Sequence, residues 1–595
     1  MELELSPVKR TIIVKKRPAV AVAVVTKTGI DRFDEYIQKS GLEPKTYQRE
    51  GVEFCLRRES AAGGGGGITG GIIADEMGLG KTMMMMGLIL ANLAAFKRTL
   101  IVVPVALVAQ WVAQIKRTII DTGVKSDLVV FVFHGASAKR RVVCEQQGND
   151  ESAPVWCHRP PKNASGRAID IVITTYGCVA MEEPAAPTTK VASTTTKKKA
   201  AAVAPVLSLL TFRANRVIFD EAHHLRNKKS RVFKGAMRLV VGRPSVWCVT
   251  GTPIQNKISD LKSLCYVLGF RMCDVMSEEK RKQIRNEYVL RRTKVSVGMV
   301  VADAAADAVA VGDCAAVDAA DVTCAPRLQS LEHYKSNVPW SSENELDLSR
   351  EIHRSARNTT DRAERLKLYT RMRQMCVWPS LLRRGGDDDT ADDDARHGLS
   401  LDEYQIAVSK QSKMDRVVAT MVAEAAAAAG AGRKSIVFCH FRREMTQLRD
   451  MLLRSGGAVV GDGEVSIIDG TVSAKERARI LAAEPTVLIL QIRTCSEGLN
   501  LQSYSDVYFI SPHWNPCVED QAIARCYRLG QTSQVRVFQF YMSDFAGGAG
   551  VDADAGAGVD AVVAGDAECI STLDHKCEEI QERKRVLCNE FLCGV

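Results

Sequence analysis

The run GGIIADEMGLGKT, at residues 70–82, restricts the fold of this chain more than any other feature. A short apolar strand leads into a turn with two glycines, and a helix is predicted to begin at Lys81 or Thr82. Gly78 and Gly80 let backbone N–H groups close around phosphate oxygens without a Cβ in the way, and the helix adds the positive end of its dipole. The run therefore predicts a phosphate-binding loop in an α/β fold.

The side chains after the glycines fit the same chemistry. Lys81 can neutralise the β- and γ-phosphates of a nucleotide, and the Thr82 hydroxyl can ligate Mg²⁺. The strict G-x-x-x-x-G-K-[ST] pattern has one exception, because Asp75 stands where the first glycine would be. Taken alone, the run can also be a chance glycine turn, since short motifs give false positives.

A second motif, RVIFDEAHH, supports the nucleotide site. Asp220 and Glu221 directly follow the apolar run Arg216–Phe219, at the carboxyl end of a predicted strand. Ligand sites in open α/β sheets lie at that edge. Asp220 is placed to hold Mg²⁺ and Glu221 to polarise an attacking water. The alternative, a surface Asp-Glu pair that caps a helix, does not explain why the pair follows a phosphate-binding loop in the expected order.

Two regions alternate short β-branched runs with longer helical stretches, a pattern typical of parallel α/β sheets. In the first region strands are predicted at Gly71–Ala74, Leu100–Pro104, Leu128–Phe133, Asp170–Thr174, Arg216–Phe219 and Ser245–Val249. In the second region they are predicted at Ser435–Phe441, Val465–Ile468, Thr486–Ile492, Asp506–Ser511 and Val535–Tyr541. Such near-continuous apolar runs suit strands covered on both faces, so we expect two similar lobes.

Composition narrows the class of protein. Hydrophobic residues make up 46% and charged residues 25%, as in ordinary soluble proteins. The longest apolar stretch, Leu100–Ala109, is too short to span a bilayer, and the start of the chain has no secretory pattern. The net charge of +10 is compatible with a polyanionic partner. None of the 18 cysteines forms a C-x-x-C pair, which indicates free thiols in a reducing compartment rather than zinc ligands.

Low-complexity runs interrupt the pattern and are predicted to be exposed insertions. They lie at Ala61–Gly67, Glu182–Val206, Val300–Ala325, Gly385–Ala395 and Phe545–Ala567. The cluster Lys197–Lys199 is either a DNA contact or a solvated charge run. The basic residues between Lys9 and Arg17 suit a nuclear-import signal, a phosphate-contacting tail or a solvated terminus.

Six motifs occur in an order that points to one family: ADEMGLGKT, FDEAHHLRN, VTGTPIQN, LRRTK, HWNP and QAIARCYRLGQ. In this order they resemble the Swi/Snf-type ATPases of helicase superfamily two, from about Gly41 to the C-terminus outside the inserted loops. The runs YTRMRQMCVWPSLL, SPHWNPCVEDQA and EEIQERKRVL most resemble the Lodestar and helicase-like transcription factor subgroup, versions of which occur in large DNA viruses. The resemblance implies an α/β fold class with two RecA-like lobes, each a mostly parallel sheet flanked by helices, with low-complexity insertions.

The resemblance also assigns nucleotide-site residues, with ATP and Mg²⁺ as cofactors. The implied catalytic residues are Lys81, Asp220, Glu221, Arg525 and Arg528, the two arginines being the pair that reaches the γ-phosphate. The implied nucleotide contacts are Gln48, which reads the adenine edge, and Asp75, Glu76, Met77, Gly78, Leu79, Gly80, Lys81, Thr82 and Gly498. Thr82 and Asp220 would hold the metal.

Double-stranded DNA is the implied partner, gripped by its backbone without regard to sequence. The implied contacts and coupling residues are Pro104, Gln110, Thr174, Thr175, Tyr176, Thr250, Gly251, Thr252 and Asn500. The chain departs from the family at Cys495 and Ser496, where two small residues are usual, and at Tyr527, which replaces a histidine. Neither departure removes a charge that the chemistry needs, so activity is still expected.

The predicted organisation has four parts. They are a basic N-terminal arm at 1–40, an ATP-binding helicase lobe at 41–294, an inter-lobe insertion with low-complexity segments at 295–400, and a C-terminal helicase lobe with a brace helix at 401–595. Without C-x-x-C pairs, the insertion is not expected to be a zinc RING.

The predicted function is an ATP-dependent double-stranded DNA translocase that remodels chromatin or other DNA–protein complexes in transcription or repair. Nucleosomes and transcription or repair proteins are the expected partners, without a membrane, in the nucleus or a viral replication factory and not in a secreted form. Three alternatives stay open: a strand-separating DNA or RNA helicase, a non-catalytic DNA-binding scaffold, and a simpler P-loop kinase. The arginine motif RCYRLGQ argues against a simple P-loop kinase. The presence of Lys81, Asp220 and Glu221 argues against a non-catalytic scaffold.

Overall fold

The computed structural model describes most of the two predicted lobes. Its described residues are 28–60, 68–125, 128–135, 141–142, 169–181, 209–242, 245–271, 277–299, 329–382, 399–427, 433–455, 464–492, 499, 501–528, 530–545 and 571–592. The predicted low-complexity insertions lie outside these ranges apart from Phe545, and so do the cluster Lys197–Lys199 and residues 1–27 of the basic arm.

The strands form two sheets. The first has the order β4-β3-β5-β2-β6-β7-β1-β8 and is parallel except for the pair β3–β4, and the second has the order β11-β12-β10-β13-β14-β9 and is parallel throughout. The strands are β1 Gly70–Ile73, β2 Thr99–Val103, β3 Val130–Phe133, β4 Arg141–Val142, β5 Ile171–Thr175, β6 Arg216–Asp220, β7 Ser245–Val249, β8 Val289–Leu290, β9 Leu331–Val338, β10 Ser435–Cys439, β11 Val465–Ile468, β12 Val487–Gln491, β13 Asp506–Phe509 and β14 Val535–Met542. Each predicted strand is therefore present, within a few residues of its predicted limits.

Helices cover both sheets. They are α1 Gly29–Lys39, α2 Thr46–Ser60, α3 Lys81–Ala91, α4 Val108–Ile115, α5 Tyr176–Met181, α6 Arg231–Val240, α7 Ile258–Leu268, α8 Glu278–Tyr288, α9 Glu343–Asn358, α10 Arg362–Val377, α11 Leu401–Ser409, α12 Ser412–Ala427, α13 Arg442–Arg454, α14 Ala474–Ala483, α15 Pro516–Cys526 and α16 Leu573–Leu592. Single-turn and other short helical segments occur at Val105–Leu107, Lys116–Ile120, Leu209–Phe212, Ala222–Leu225 and Pro379–Leu382. The two RecA-like lobes expected from the sequence are thus observed.

Strand composition explains the layered arrangement. Every residue of the central strands β2, β5, β6 and β7 is buried, because helices pack on both faces and leave no side chain in water. Helix starts are fixed locally, as where the Thr28 hydroxyl accepts the Asp31 N–H at the start of α1. The order β5-β2-β6-β7-β1 brings the carboxyl ends of five parallel strands to one edge of the first sheet.

The second lobe begins earlier in the chain than the sequence predicted. Strand β9 lies within the predicted inter-lobe insertion, yet it pairs with β14 along its whole length, from Leu331 opposite Val535 to Val338 opposite Met542. Leu348 of α9 and Met372 of α10 are buried in the core of the second lobe. Strand β9 was not predicted, because LEHYKSNV is a polar edge strand without the apolar run of a central strand.

The lobes meet along a surface that we call the seam, where Leu79 of the first lobe packs in one apolar cluster with Leu501 and Tyr527 of the second. Helix α16 crosses the seam as the predicted brace. Its Gln581 Nε2 donates to the His513 carbonyl (2.7 Å) in the second lobe, while its Cys588 packs against the core of the first. Within the described residues, no helix is both long enough and apolar enough to cross a membrane.

Candidate functional site

The loop between β1 and α3 forms a cradle of backbone N–H groups. Gly78 and Gly80 adopt φ angles of 93° and 79°, which residues with a Cβ rarely reach. A Cβ on Gly80 would also lie 2.4 Å from Gln48 Nε2. Gln48 itself is buried and donates from Nε2 to the Leu79 carbonyl (3.2 Å), so the residue predicted to read adenine adjoins the loop.

Lys81 bridges the start of the loop, with Nζ 2.8 Å from the Asp75 carbonyl oxygen and 3.2 Å from that of Glu76. Burial lowers the pKa of Lys81, while Glu221, Asp75 and Asp220 counteract this shift. Next to it, the Thr82 hydroxyl makes no hydrogen bond to any described residue. The loop therefore presents a cation and a hydroxyl together.

Asp75, which breaks the strict glycine pattern, has a structural partner. Its carboxylate accepts from Arg292 at three points: the backbone N–H (3.0 Å), Nε (3.2 Å) and Nη2 (2.5 Å). Its side chain is fully buried, and the Arg292 guanidinium also donates to the Tyr47 carbonyl. The Asp75 carboxylate thus holds the LRRTK segment against the loop.

Asp220 and Glu221 lie at the end of β6, two strands from the loop-bearing β1 in the sheet. One Asp220 oxygen, Oδ2, accepts from Trp111 Nε1 (2.7 Å), and the other, Oδ1, accepts from the Glu221 N–H (3.0 Å). Burial and the adjacent Glu221 raise the pKa of Asp220. Burial acts in the same direction on Glu221, but His223 and Lys81 outweigh it and lower the Glu221 pKa, so Glu221 is ionised at neutral pH.

Glu221 is aimed into the site by its backbone, which has a φ of 50°, in the left-handed region that few non-glycine residues adopt. Its Oε2 is buried without a hydrogen bond, although His223 Nδ1 lies 3.3 Å away. His223 in turn lies 3.4 Å from the Thr250 hydroxyl. A Cβ on Gly251 would be 2.9 Å from Met77 Cγ. The predicted coupling residue Thr250 is therefore linked to Glu221 through His223, and Gly251 lies beside the loop.

The second lobe brings two arginines to the same place. Arg525, on α15, is buried and close enough to Glu221 to contribute to the lowering of its pKa. Burial and the neighbouring Arg525 lower the pKa of Arg528 to about 10. Arg528 Nε donates to the Ala524 carbonyl (2.7 Å), and in the part of the chain that the structure describes Arg528 has no carboxylate partner. Two adjacent cations at the seam favour a polyanionic ligand.

The first-lobe residues predicted to contact DNA lie at or after the carboxyl ends of β2, β5 and β7. Gln110 is exposed on α4, after the turn that starts at Pro104. The side chains of Thr174 and Tyr176 are buried, and their hydroxyls donate to the Phe133 carbonyl (2.9 Å) and the Asp220 carbonyl (2.7 Å). Thr175 is also buried, 3.2 Å from His134 Nδ1. These three hydroxyls are engaged inside the lobe and do not face solvent.

Thr252 is buried next to Thr250, with its hydroxyl 3.5 Å from Gln255 Nε2. Gly498 and Asn500, predicted to link DNA and nucleotide, lie outside the described residues, as do Cys495 and Ser496. Their assignments stay predictions.

Sequence reasoning missed three residues of the site: Trp111, Arg292 and Lys294. Trp111 follows the predicted contact Gln110 directly, and the other two belong to the quoted motif LRRTK. A signal was therefore present in each case. Their hydrogen-bond partners could not be predicted, because Trp111 is 109 positions away from Asp220 in the sequence and Arg292 is 217 positions away from Asp75.

The site fits a nucleotide triphosphate with a divalent cation. The glycine cradle has no room for a Cβ at Gly80, Glu221 Oε2 is a buried oxygen without a hydrogen bond, and Thr82 and Asp220 offer the oxygen ligands that Mg²⁺ prefers. Among the described residues, no group of three or more His, Cys, Asp or Glu could hold a metal ion by itself. A cation here would accordingly share its ligands with phosphate and water.

Comparison with known proteins agrees with this division into lobes. The model of the SNF2-related domain matches residues 47–298, and that of the helicase conserved C-terminal domain matches residues 412–530. A probable global transactivator of Orgyia pseudotsugata multicapsid polyhedrosis virus is 25% identical, over 84% of this chain and 86% of the viral protein. DNA repair protein RAD5A of Arabidopsis thaliana is 23% identical, over 80% of this chain and 56% of that protein.

One further relative matches over only part of its own length. Chromodomain-helicase-DNA-binding protein 8 of Danio rerio is 23% identical over 88% of this chain but only 19% of its own length. Among solved structures, the Sulfolobus solfataricus SWI2/SNF2 ATPase core in complex with dsDNA matches at 20% identity and a TM-score of 0.32, over 84% of this chain and 88% of that one. The two family matches follow each other along the chain, the first containing all strands of the first sheet and the second containing β10 to β13 of the second, so the chain is a helicase-like ATPase of the SNF2-related, or Swi/Snf, type.

Proposed function

We propose that this ATPase converts ATP hydrolysis into movement along double-stranded DNA. The observation that carries the proposal is the contact of the loop segment with the second lobe at the seam, where Leu79 packs with Tyr527 and Lys294 Nζ donates to the Tyr527 carbonyl (3.3 Å). The charge of Arg525, from the second lobe, also acts on Glu221 of the first. A site completed only when two lobes close makes hydrolysis depend on their relative position. Repeated closing and opening of two lobes that both grip DNA would step the chain along the phosphate backbone.

The chemistry assigned to the site is in-line attack of water on the γ-phosphate. Glu221 would orient and polarise the water, for which its lowered pKa keeps it ionised. Lys81, Arg525 and Arg528 would stabilise the charge that develops on the phosphoryl oxygens. Mg²⁺, when bound with the nucleotide, would be held by Thr82 and Asp220 and would neutralise phosphate charge.

The positions of the segments predicted to contact DNA support a coupling between DNA binding and ATP hydrolysis. Gln110 follows β2 and Thr250 follows β7, and these two strands flank β6, which ends in Asp220. A change of position in either segment would therefore reach the acidic pair through adjacent strands. The resemblance of the six motifs to Swi/Snf-type ATPases supports duplex DNA, gripped through its backbone, as the track.

The experiment that tests this proposal is ATP turnover by the full chain without nucleic acid and with single-stranded DNA, duplex DNA or RNA. Turnover should rise most with duplex DNA, and the stimulation should weaken as salt increases. The chain should also displace a third-strand oligonucleotide bound to duplex DNA, and it should do so without separating the two strands of the duplex. Stimulation by single strands together with strand separation would instead establish the helicase alternative.

Glu221→Gln serves as the matched control in the same assay. The amide cannot polarise water, so the variant should bind ATP with near-normal affinity and hydrolyse it very slowly. Wild-type turnover by this variant would contradict the assigned chemistry.

We further propose that the duplex DNA on which this protein acts is part of chromatin or of another DNA–protein complex, in the nucleus or a viral replication compartment. The similarity to a probable global transactivator of a virus and to a DNA repair protein supports transcription and repair as the two processes to examine. Nucleosome sliding and removal of a stalled protein from duplex DNA are the direct assays.

A further inference from the structure

We propose that Trp111 is a positioning residue through which helix α4 controls the orientation of the Asp220 carboxylate. This inference rests on the proposed function, in which α4 carries a DNA contact and Asp220 a metal contact. Trp111 would touch neither ligand and would act through Asp220 alone.

The contact that carries the inference is the hydrogen bond from Trp111 Nε1 to Asp220 Oδ2, with an N–O distance of 2.7 Å. Trp111 is 1% exposed and Asp220 6% exposed, so water cannot replace either partner. A hydrogen bond from a neutral donor to a buried carboxylate is among the stronger ones in proteins. The rotation of the carboxylate is therefore tied to the position of the indole.

The other hydrogen bonds of Asp220 come from the next residue and from α5. Oδ1 accepts the N–H of the next residue, Glu221, and the main-chain carbonyl of Asp220 accepts the Tyr176 hydroxyl at 2.7 Å. The Trp111 bond is thus the one side-chain hydrogen bond to the Asp220 carboxylate in the described residues. It comes from α4, an element separate from the strand that carries Asp220.

Helix α4 places this bond next to a surface segment. The helix runs from Val108 to Ile115, so Trp111 is in its first turn, and Gln110, the residue before it, is exposed. Consecutive helix residues point about 100° apart, so one turn can hold both an outward contact and an inward one. A small displacement of this turn by bound DNA would move the indole N–H and with it the carboxylate.

A purely structural role for Trp111 is the competing explanation, because the indole is also part of the first-lobe core. Trp247 offers a matched control. It is fully buried in the same lobe, and its Nε1 donates to the Glu59 carboxylate at 3.0 Å. Glu59 pairs with Arg216 at the opposite end of β6 from Asp220, away from the site.

The test uses the full chain and measures equilibrium binding of a fluorescent, non-hydrolysable ATP analogue as Mg²⁺ is titrated, with and without duplex DNA. Loss of a group that orients a metal ligand typically weakens metal affinity by about 10–100-fold. Trp111→Phe should therefore raise the Mg²⁺ concentration at which binding of the ATP analogue is half-maximal by about ten-fold or more. It should also abolish any change in that concentration caused by DNA, whereas Trp247→Phe should leave both unchanged.

A second variant separates the N–H from the shape of the ring. Benzothienylalanine at position 111 keeps the bicyclic outline but replaces N–H with sulfur, and it should reproduce the Phe phenotype in a folded chain. Wild-type Mg²⁺ dependence and DNA response in this variant would overturn the inference, as would equal effects in the Trp111 and Trp247 variants. If DNA leaves the Mg²⁺ dependence of wild type unchanged, the control of Asp220 by α4 is overturned, whereas a lack of DNA-stimulated ATP turnover would contradict the proposed function. The Mg²⁺ titration without DNA still decides whether Trp111 orients Asp220.

Discussion

Lys294 of the first lobe donates a hydrogen bond across the seam to the main-chain carbonyl of Tyr527, with an Nζ–O distance of 3.3 Å. Its ammonium also lies 4.2 Å from the centre of the Tyr527 ring and 3.7 Å from Glu76 Oε1. Burial lowers the pKa of Lys294, and Arg528 and Lys81 add to this effect against the opposing charge of Glu76. The closed lobes thus crowd three cations beside the loop, which a bound triphosphate would neutralise.

Lys294→Met should therefore weaken lobe closure. It removes a charge-assisted hydrogen bond and a cation–π contact, together about 2 kcal/mol, which corresponds to a fall of about 10–30-fold in DNA-stimulated turnover. Lys294 is also repelled by Lys81 and Arg528, but this repulsion is smaller when a bound triphosphate neutralises the three cations. Steady-state turnover with saturating duplex DNA is the measurement.

Tyr527→Phe is the control for Lys294→Met, because it keeps both the ring and the main-chain carbonyl. It should have near wild-type turnover. Lys335→Met removes an exposed lysine whose ion pair with Glu578 lies on the second lobe, and it should be equally silent. Unchanged turnover in Lys294→Met would show that the cross-seam contact plays no part in closure.

Asp75→Gly restores the glycine of the strict phosphate-loop pattern, yet it should destabilise the chain. The substitution leaves the nearly buried Arg292 guanidinium without its carboxylate. Breaking a buried pair by removing one partner costs about 3–5 kcal/mol. Urea unfolding followed by fluorescence would measure the loss.

The double variant Asp75→Gly with Arg292→Met tests the cause, since it removes the stranded charge as well. Its stability should recover at least part of the loss. If Asp75→Gly alone is as stable as wild type, the Asp75–Arg292 pair is not what holds LRRTK to the loop.

Arg528→Ala should cut DNA-stimulated turnover severely and lower ATP affinity only modestly. An arginine that acts on the transferred phosphoryl group is worth about 10³–10⁵ in turnover. Its adjacency to Arg525 and the absence of a carboxylate partner among the described residues fit this role better than a surface ion pair. Arg525→Ala should behave similarly, because Arg525 is near Glu221.

Single-turnover hydrolysis and nucleotide binding, measured side by side, separate the two effects of the arginine variants. Arg583, exposed on α16 and weakly paired with Glu579, supplies the control Arg583→Ala. Wild-type DNA-stimulated turnover in both Arg525→Ala and Arg528→Ala would rule out hydrolysis driven by lobe closure.

Glu444→Gln should make stability less dependent on pH. Glu444 is buried at the start of α13, where its carboxylate accepts the N–H groups of His440 (2.9 Å) and Phe441 (2.8 Å). Burial raises the pKa of Glu444 from 4.5 to about 7. Between these values the folded chain keeps a proton that the unfolded chain has lost, so this group's contribution to stability falls as pH rises.

The amide does not titrate. The free energy of unfolding of Glu444→Gln, relative to that of wild type, should therefore increase by about 3 kcal/mol as the pH rises from 4.5 to 7.5. Glu476→Gln is the control, because Glu476 is an exposed helix-start carboxylate whose pKa is lowered by Arg479 and which titrates below this window. Parallel pH profiles for Glu444→Gln and wild type would contradict the prediction.

Most of the fold could be predicted because burial on both faces leaves a mark in the sequence. The core strands β2, β6 and β10 are continuous apolar runs, and each was located from that pattern. Strand β9 was missed because an exposed edge strand lacks the pattern, and β4 and β8 were missed because a strand of two residues is too short to show a periodic pattern.

The candidate site divides in the same way. Lys81, Asp220 and Glu221 could be found because phosphate chemistry demands fixed residue types at short spacing. The inward turn of the Tyr176 hydroxyl and the partner of Asp75 could not, because both depend on which distant strands become neighbours. Local sequence describes ligand chemistry, whereas tertiary packing decides which polar side chains remain available to a ligand.

The pairing of β9 with β14 has a consequence for how the second lobe is made. Strand β9 leaves the ribosome roughly 200 residues before its partner, and such long-range pairing forms slowly. A fragment that began at Leu401 would lack β9 and would expose the edge of β14, including Phe538, against which Tyr334 now stacks at a centroid distance of 5.0 Å. An unpaired apolar edge is a template for aggregation, so an autonomous second lobe has to begin before Leu331.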